Sequence, residues 1–518
     1  MSDKTPFTRD DDSEIRFVMG GEVKTLTNVD PSMTILQYLR GEGMRTGTKE
    51  ACGEGGCGAC TVALVDLDDA GQLRYRTINA CLHLMPQVDG YALLTVEDLK
   101  GADGQLHPVQ QALLDGHASQ CGFCTPGIVM TLFALYQSGE PLARETIVNA
   151  LAGNLCRCTG YRSIIDAALG LFERKPQTAI EGKQAIVSPL SSDRITKGAS
   201  DLRELLPTIK RVKPLSLRGC TNSGRTIRYL VPVNLAEVLD MLRQYQGAVL
   251  LAGGTDIGSL IAREPPNIDT VIFIGQVKEL KSIVISDSGI TIGAATTLSE
   301  AYPVLARFYP AFGDFLLRFG SPAVRNLATI GGNIASRSPV SDLAPAFIAL
   351  EGQIRLRAGD EQRTVPMDTF HTPEHNGVLA PGELIEAVYL PLPNSASRVS
   401  IYKITKRHDC DIAAINAAFS MELKDHTVHQ ARIGYGGMAP RAKRATHCEH
   451  ALVGQPWTLD TIETASHALE KDLEPVSDER ASSAYRMRVA KNLLKRYYLE
   501  SLHPQESLRV TAYQQTYE

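Results

Sequence analysis

Eight of the eleven cysteines lie between residues 52 and 158, and that clustering constrains the fold more than any other feature. The amino terminus, MSDKTPFTRDDDSE, is charged and lacks the apolar stretch of a secretory signal, so a disulfide framework is not expected. Crowded thiols in such a chain point to metal or redox chemistry.

The segment CGEGGCGAC sets Cys52, Cys57 and Cys60 at C-x₄-C-x₂-C, and Cys81 follows after twenty intervening residues. This is the plant-type [2Fe–2S] ligand spacing. Three thiolates must converge from one tight loop, and Gly53, Gly55, Gly56 and Gly58 supply backbone that turns through positive φ and brings N–H groups close to sulfur. A zinc knuckle also takes four cysteines, but zinc loops usually pair them as C-x₂-C. The wide first gap and the glycines favour iron–sulfur. A second set, Cys121 and Cys124 in CGFC and Cys156 and Cys158 in CRC, has thirty-one residues between its pairs. Each pair precedes a helical pattern, at Pro126 and at Tyr161. Two helix N-termini would then aim positive dipole ends at one thiolate site and lower the thiol pKa values. Read by itself, this set leaves zinc open.

The chain has 518 residues, which at about 150 per domain predicts three or four domains. Net charge is −5, so no strong basic field invites nucleic acid. The richest apolar run, Pro126 to Tyr136, is too short to span a membrane and contains Thr131. The chain reads as cytoplasmic, its first dozen residues as a mobile tail. Ile15, Phe17 and Met19 alternate, and Gly20-Gly21 turns the chain into a second strand. A helix follows with Asp30 as its cap, Pro31 in its first turn and Gly41 at its end. The cysteine loop, the strand TVALVDL and strand-like material from Thr77 to Ala80 complete a small half-open sheet on one helix. From about residue 105 the period is helical. Thr125 caps and Gly139 ends the clearest helix, and four short helices form a bundle of two antiparallel pairs. Beyond a pattern-poor, Ser/Lys/Thr/Pro-rich stretch, read as a surface linker, the texture is mixed α/β. Antiparallel strands then run from about residue 398 to HQARIGYGGM, and helices from Leu459.

Two glycine-rich loops stand out in the second half, LLAGGTDIG (Leu250 to Gly258) and ATIGGNIASRSPVSDLAP (Ala328 to Pro345). A pyrophosphate needs close backbone N–H donors, and glycine allows the nearest approach. Neither loop is G-x-G-x-x-G, so a Rossmann site is not indicated; each taken alone also reads as a β-turn.

A plant-type cluster loop followed by CGFCTPG and NLCRCTGY resembles the iron–sulfur half of the molybdenum hydroxylases, a family that includes xanthine dehydrogenases, aldehyde oxidases and carbon monoxide dehydrogenases. The resemblance implies a [2Fe–2S] cluster at each cysteine set. It implies an α+β multidomain chain: a β-grasp ferredoxin-like domain (1–100), a four-helix [2Fe–2S] domain (101–175), a linker (176–224), a vanillyl-alcohol-oxidase/PCMH-type FAD domain (225–398) and a C-terminal flavin-domain subdomain (399–512). By the same resemblance both glycine loops wrap the FAD pyrophosphate. Leu251, Ala252, Gly253, Gly254, Thr255, Asp256 and Ile257 match the first; Phe319, Thr329, Gly332, Asn333, Ser341 and Asp342 match the second region. Gly254 and Asp256 depart from the residues of animal relatives. Asp342 is expected to accept hydrogen bonds from the ribose or adenine side, and Ile385 and Lys403 to lie near the flavin ring, where a lysine would stabilise the reduced anionic form; Lys403 also reads as a solvated strand residue. The stretch Lys406, Arg407, His408 and Asp409 reads either as a gate for NAD⁺ or as an exposed hairpin turn.

The family's molybdenum–pterin centre belongs to a separate part longer than this chain. A fused iron–sulfur and flavin chain without it is similar to the small subunits of two-gene bacterial xanthine dehydrogenases. That implies a large partner subunit, a heterodimer doubled to a heterotetramer, and a role in purine catabolism. The partner hydroxylates hypoxanthine or xanthine towards urate. Electrons pass through the Cys121/Cys124/Cys156/Cys158 cluster, then the Cys52/Cys57/Cys60/Cys81 cluster, to FAD and NAD⁺, and no residue of this chain is catalytic in the hydroxylation. The alternatives are the same role in an aldehyde or N-heterocycle hydroxylase, and an electron carrier with no NAD site.

Overall fold

A computed structural model describes residues 13–503 apart from 102–103, 140–142, 174–192, 222–223, 259, 261–267 and 373–378, with the side chains of 172–173 and 193–200 also left aside. The residues expected to form a mobile tail, and the last part of 399–512, lie outside the described residues. The chain divides into two compact units, Met1–Lys278 with Gly320–Ala328, and Glu279–Phe319 with Thr329–Glu518.

In the first unit, Gly20 and Gly21 take φ of 65° and 78°, as a tight hairpin requires. They join β1 (Glu14–Met19) to β2 (Glu22–Thr27). With β3 (Thr61–Leu67), β4 (Leu73–Asn79) and β5 (Ala92–Leu94) these strands form a sheet of order β2-β1-β5-β3-β4. The three-residue β5, too short to show a pattern in the sequence, pairs parallel to β1 and antiparallel to β3. Helix α1 (Ile35–Arg40) buries Ile35, Leu36, Tyr38 and Leu39. Its cap is Thr34, in a capping box with Gln37, and not Asp30, whose carboxylate instead accepts from the Ser32 N–H at 2.8 Å. Gly41 ends the helix as expected.

Four helices follow: α2 (Pro108–Asp115), α3 (Thr125–Ser138), α4 (Arg144–Leu151) and α5 (Arg162–Glu173). They share a core that includes Val109, Ile128, Leu132, Ile147 and Ile164. Gly139 ends α3 at φ 72°. Thr125 is the first helical residue, and its hydroxyl meets Ser119 at 2.8 Å instead of capping.

The stretch read as a linker contains regular structure. Helix α6 (Asp193–Ile209) and strand β6 (Leu215–Cys220) lie within it. Leu202, Leu206 and Ile209 recur at helical spacing and bury against Val18, Val65 and Ala92 of the first sheet. Three leucine-type contacts among exposed polar residues are a weak signal, which is why composition reads as linker. Beyond α6, Arg211 forms a buried ion pair with Asp89 and donates to Glu14 O at 2.8 Å.

Strands β6, β7 (Thr226–Val231), β8 (Val249–Leu251) and β9 (Thr270–Phe273), with α7 (Leu235–Gln244), make a sheet of order β6-β7-β9-β8. β7, β9 and β8 run parallel. Its Tyr229, Val271 and Phe273 belong to the same apolar core as Phe17, Leu39 and Ile78.

The second unit holds a sheet of order β10-β11-β14-β12-β13, comprising Ile283–Ile285, Gly289–Gly293, Leu384–Pro391, Gln353–Ala358 and Glu361–Pro366. It also holds the antiparallel sheet β15 to β18, comprising Ser397–Ile404, Ile415–Lys424, Thr427–Gly436 and Lys443–Arg444. The latter packs with helices Leu459–Asp472 and Ser483–Leu502 around Phe419, Tyr435, Leu469 and Tyr497, as the sequence pattern predicts. Arg486, 1% exposed, donates to Ala414 O and Gly437 O at 2.6 and 2.7 Å and to Asp478 at 2.6 Å. No helix among the described residues is long and apolar enough to cross a membrane.

Two stability predictions follow from these contacts. Leu206→Ala empties the site between α6 and the first sheet and should cost about 3 kcal/mol, seen as an earlier calorimetric transition. Arg486→Met strands two buried carbonyls, Ala414 O and Gly437 O, and should cost about 3 kcal/mol; denaturant unfolding followed through the Trp457 fluorescence should shift its midpoint accordingly.

Candidate functional site

The loop between α1 and β3 carries Cys52, Cys57 and Cys60, and Cys81 follows β4. Gly53, Gly55 and Gly58 have φ of 67°, 73° and 70°, so three of the four loop glycines serve the turn the spacing demands; Gly56 keeps negative φ. Asn79 holds the loop from beneath, its Nδ2 donating to Gly55 O at 3.0 Å. Cys60 and Cys81 are buried while Cys52 and Cys57 are half-buried. The four thiols hydrogen-bond among themselves. Bonds from Cys57 and Cys81 push Cys52 down to about 2, and a bond from Cys81 pulls Cys60 down. Cys57 is pushed up by its bond to Cys52, and Cys81 by its bonds to Cys52 and Cys60. Such a set shares protons that a metal–sulfur group would displace on binding.

In the second set Cys124 is the residue immediately before α3, at the positive end of the helix. It faces Cys156, and Cys121 faces Cys158. Burial, then the bond to Cys156, pushes Cys124 up to about 12. Burial also acts to raise Cys156, but hydrogen bonds from Thr159 and nearby backbone outweigh it and hold the thiol below its usual range. The Thr159 hydroxyl lies 3.1 Å from the Cys156 sulfur, and the Cys156 N–H donates to the Tyr161 hydroxyl at 2.8 Å. Cys121 and Cys158 are exposed.

Both sets bring together the cysteines that the spacing predicts. Among the described residues, no three His, Cys, Asp or Glu side chains close on a single metal ion. Four thiols at each set fit a two-iron cluster, which takes two thiolates per iron; a Cys₄ zinc site takes the same donors.

In the first glycine loop, Leu251 ends β8 and is buried, and Gly254 is buried with φ 80°. A Cβ on Gly253 would lie 1.8 Å from Leu327 O, and one on Gly258 would lie 2.0 Å from Leu82 O. One side of the loop is thus closed by backbone, that of Leu82 being the residue after Cys81. Ala252, Gly253, Thr255 and Ile257 keep partial exposure, and Asp256 is exposed. An open glycine nest of this kind fits a phosphate-bearing cofactor such as FAD.

The second region lies in the other unit. Thr329 caps the helix Ile330–Ala335 through Gly332 N at 3.0 Å. Asn333 Oδ1 accepts from the Ser341 hydroxyl at 2.7 Å, so those two side chains hold the loop in shape. Asp342 and Lys403, matched to opposite parts of the cofactor, instead meet: Lys403 Nζ lies 2.6 Å from Asp342 Oδ2 and donates to Arg318 O at 3.1 Å. Asn416 donates to Asp342 Oδ1 at 2.6 Å. Lys403 is 3% exposed and stands 5.7 Å from the Phe319 ring centroid, so it is not a solvated strand residue. Ile385 is a buried residue of β14, opposite Leu356. Arg318, which the sequence did not single out, donates to Lys403 O and His408 O at 2.9 Å each; it pins the segment containing Lys406, Arg407, His408 and Asp409. That segment is largely exposed, with His408 and Asp409 2.9 Å apart.

Four family models match successive stretches of the chain. Residues 18–85 match the 2Fe-2S iron–sulfur cluster binding domain and 95–169 the [2Fe-2S] binding domain. Residues 225–393 match the FAD binding domain in molybdopterin dehydrogenase, and 400–501 the CO dehydrogenase flavoprotein C-terminal domain. Xanthine dehydrogenase 1 of Arabidopsis thaliana is 32% identical over 90% of this chain and 38% of its own length. Xanthine dehydrogenase of Emericella nidulans is 31% identical over 96% and 39%. Aldehyde oxidase 2 of Mus musculus is 29% identical over 94% and 39%. The chain therefore spans well under half the length of these relatives. Among solved structures, a carbon monoxide dehydrogenase chain from Hydrogenophaga pseudoflava is 28% identical, with a TM-score of 0.49 over 52% of this chain and 94% of that one. With two [2Fe–2S] domains, a flavin domain and its C-terminal companion matched in this order, the chain belongs to the molybdenum hydroxylase family as an iron–sulfur and FAD component.

Proposed function

We propose that this chain is the electron-transfer subunit of a cytoplasmic xanthine dehydrogenase. In this reading Cys52, Cys57, Cys60 and Cys81 hold one [2Fe–2S] cluster, and Cys121, Cys124, Cys156 and Cys158 the other. Leu251 to Ile257, with Phe319, Thr329, Gly332, Asn333, Ser341, Asp342, Ile385 and Lys403, serve FAD. A large molybdenum–pterin subunit, in a heterodimer doubled to a heterotetramer, hydroxylates hypoxanthine and xanthine; NAD⁺ is the final acceptor. When bound, the clusters supply one-electron steps and the flavin a two-electron exchange. The chain's own residues set distance and surroundings. Thr159 and the α3 N-terminus offset thiolate charge, the glycine nest orients the pyrophosphate, and the Asp342–Lys403 pair fixes the second loop.

The observation that carries this reading is the sequence of contacts in the first unit. Leu155 N–H, one residue before Cys156, donates to Cys57 O at 2.9 Å, and the residue after Cys81 abuts Gly258 of the flavin loop. The two cysteine sites and the flavin nest are thus in backbone contact in the order the relay requires. The purine assignment is supported by the names of the relatives at 31–32% identity. The similarity to a mouse aldehyde oxidase supports an aldehyde hydroxylase as the second reading.

The deciding experiment is to purify the chain with its large partner and follow xanthine-dependent NAD⁺ reduction. NADH formation supports substrate, acceptor and relay together. Bleaching of flavin and clusters by xanthine without NADH moves the acceptor elsewhere, and no bleaching with xanthine removes the purine assignment. In the same preparation Cys156→Ser should reduce xanthine-to-NAD⁺ turnover by about 100-fold or more, as loss of an essential relay member does, while NADH-dependent dye reduction, which needs only the flavin, persists. Unchanged turnover would refute the relay.

A further inference from the structure

The two cysteine loops meet along a seam of glycines, and one buried amide spans it. A Cβ on Gly127 would lie 2.1 Å from Gly58 O, and one on Gly58 would lie 2.5 Å from Gly153 O. Backbone therefore touches backbone, with no side chain between. Asn154, 6% exposed, joins the sides. Its Nδ2 donates to Gly58 O at 3.2 Å and to Thr61 Oγ1 at 3.3 Å. Its Oδ1 accepts from the Thr131 hydroxyl of α3 at 2.9 Å. Thr131 thereby fixes which end of the amide faces the first loop. The seam around Gly58, Thr61, Asn79, Thr131, Asn154 and Ser321 has no room for a water molecule. With the amide in place, the seam is held by direct contact.

The consequence concerns the gap between the two sites. Asn154 directly precedes Leu155, whose N–H reaches Cys57 O at 2.9 Å. That bond links a cysteine of one set directly to the residue next to a cysteine of the other. Coupling for electron transfer decays steeply as a gap lengthens, and a contact between two backbones is held only as well as its flanking restraints allow. We propose that Asn154 is a positioning residue for electron transfer between the two cysteine sites, holding Cys57–Gly58 against Leu155–Cys156. One electron leaves the reduced Cys121/Cys124/Cys156/Cys158 site and is accepted at the Cys52/Cys57/Cys60/Cys81 site; one is oxidised as the other is reduced, and Asn154 neither binds nor releases a proton.

The inference rests on the reading that both cysteine sets hold [2Fe–2S] clusters, and the test separates the two. In the full chain with its partner subunit, iron content and the two reduced-cluster paramagnetic resonance signals report on the clusters. The spin–spin splitting when both are reduced, and the rate at which a flash-injected electron equilibrates between them, report on the gap. Asn154→Ala and Asn154→Asp (which keeps the acceptor for Thr131 but loses the donor to Gly58) should retain iron and both signals, with a smaller splitting and several-fold slower equilibration. Thr131→Val, which keeps the amide but frees its orientation, should slow equilibration less. Unchanged splitting and rate in the Asn154 variants overturn the proposal. If those variants lose iron, Thr131→Val decides: slower equilibration with full iron supports it, and an unchanged rate overturns it. Wild-type chain without two [2Fe–2S] signals would instead overturn the cluster reading.

Discussion

Bringing three sulfurs together from a loop of nine residues, beside a fourth after β4, is the constraint on which the rest of the first unit depends. The backbone must turn sharply and repeatedly, and residues with a Cβ do so only at a cost of roughly 1 kcal/mol or more each. Gly53, Gly55 and Gly58 remove that cost. They also leave a surface with no side chains, and the fold uses it. Gly127 and Gly153 of the helical domain press against Gly58, and Gly153 in turn meets Ser321. The residues that let the loop bend are those that let its neighbours approach.

A second organising feature is charge placed where water does not reach. Asp342 and Lys403 are both nearly inaccessible and are satisfied by each other, by Asn416 and by Arg318 O. Arg486 is likewise buried, but it is satisfied by Ala414 O and Gly437 O and reaches out to an exposed carboxylate, that of Asp478. A buried pair such as Asp342 with Lys403 is a weak source of stability but costs heavily if one partner is lost, so it favours a single arrangement of the elements that carry it. Here it ties β15, β16 and the start of the helix Leu343–Ala349 into one geometry beside the second glycine loop.

The hairpin at Gly20-Gly21, the helix end at Gly139, the three long C-terminal strands and both cysteine sets were legible in the sequence, because each follows from a local rule: positive φ, helical period, alternation or ligand spacing. The misses have physical reasons. Thr34 displaced Asp30 as the cap of α1 because Gln37 completes a reciprocal pair with it, a choice that depends on where the helix begins. Strand β5 is defined only by its partners. Helix α6 has too few apolar residues to declare itself until the sheet it covers is known. At the flavin loops the residue types were legible, but not that Asn333, Ser341, Asp342 and Lys403 spend their polar atoms on one another. Asn154 was visible as part of NLCRC, yet its task depends on Gly58, almost a hundred positions earlier, which spacing alone does not bring near.

Helix α6 joins two stretches of chain by contact as well as by covalent continuity. It lies carboxy-terminal to the helical domain and leads into β6, yet its apolar side is spent on the first sheet, and Arg211 ties the exit to Asp89 and Glu14 O. The flavin sheet therefore stays at high local concentration next to the iron–sulfur sheet whatever the length of the preceding segment. A peptide bond broken amino-terminal to Asp193 would leave the two fragments docked. A chain divided there would keep α6 with the flavin part, its apolar side still matched to the first sheet.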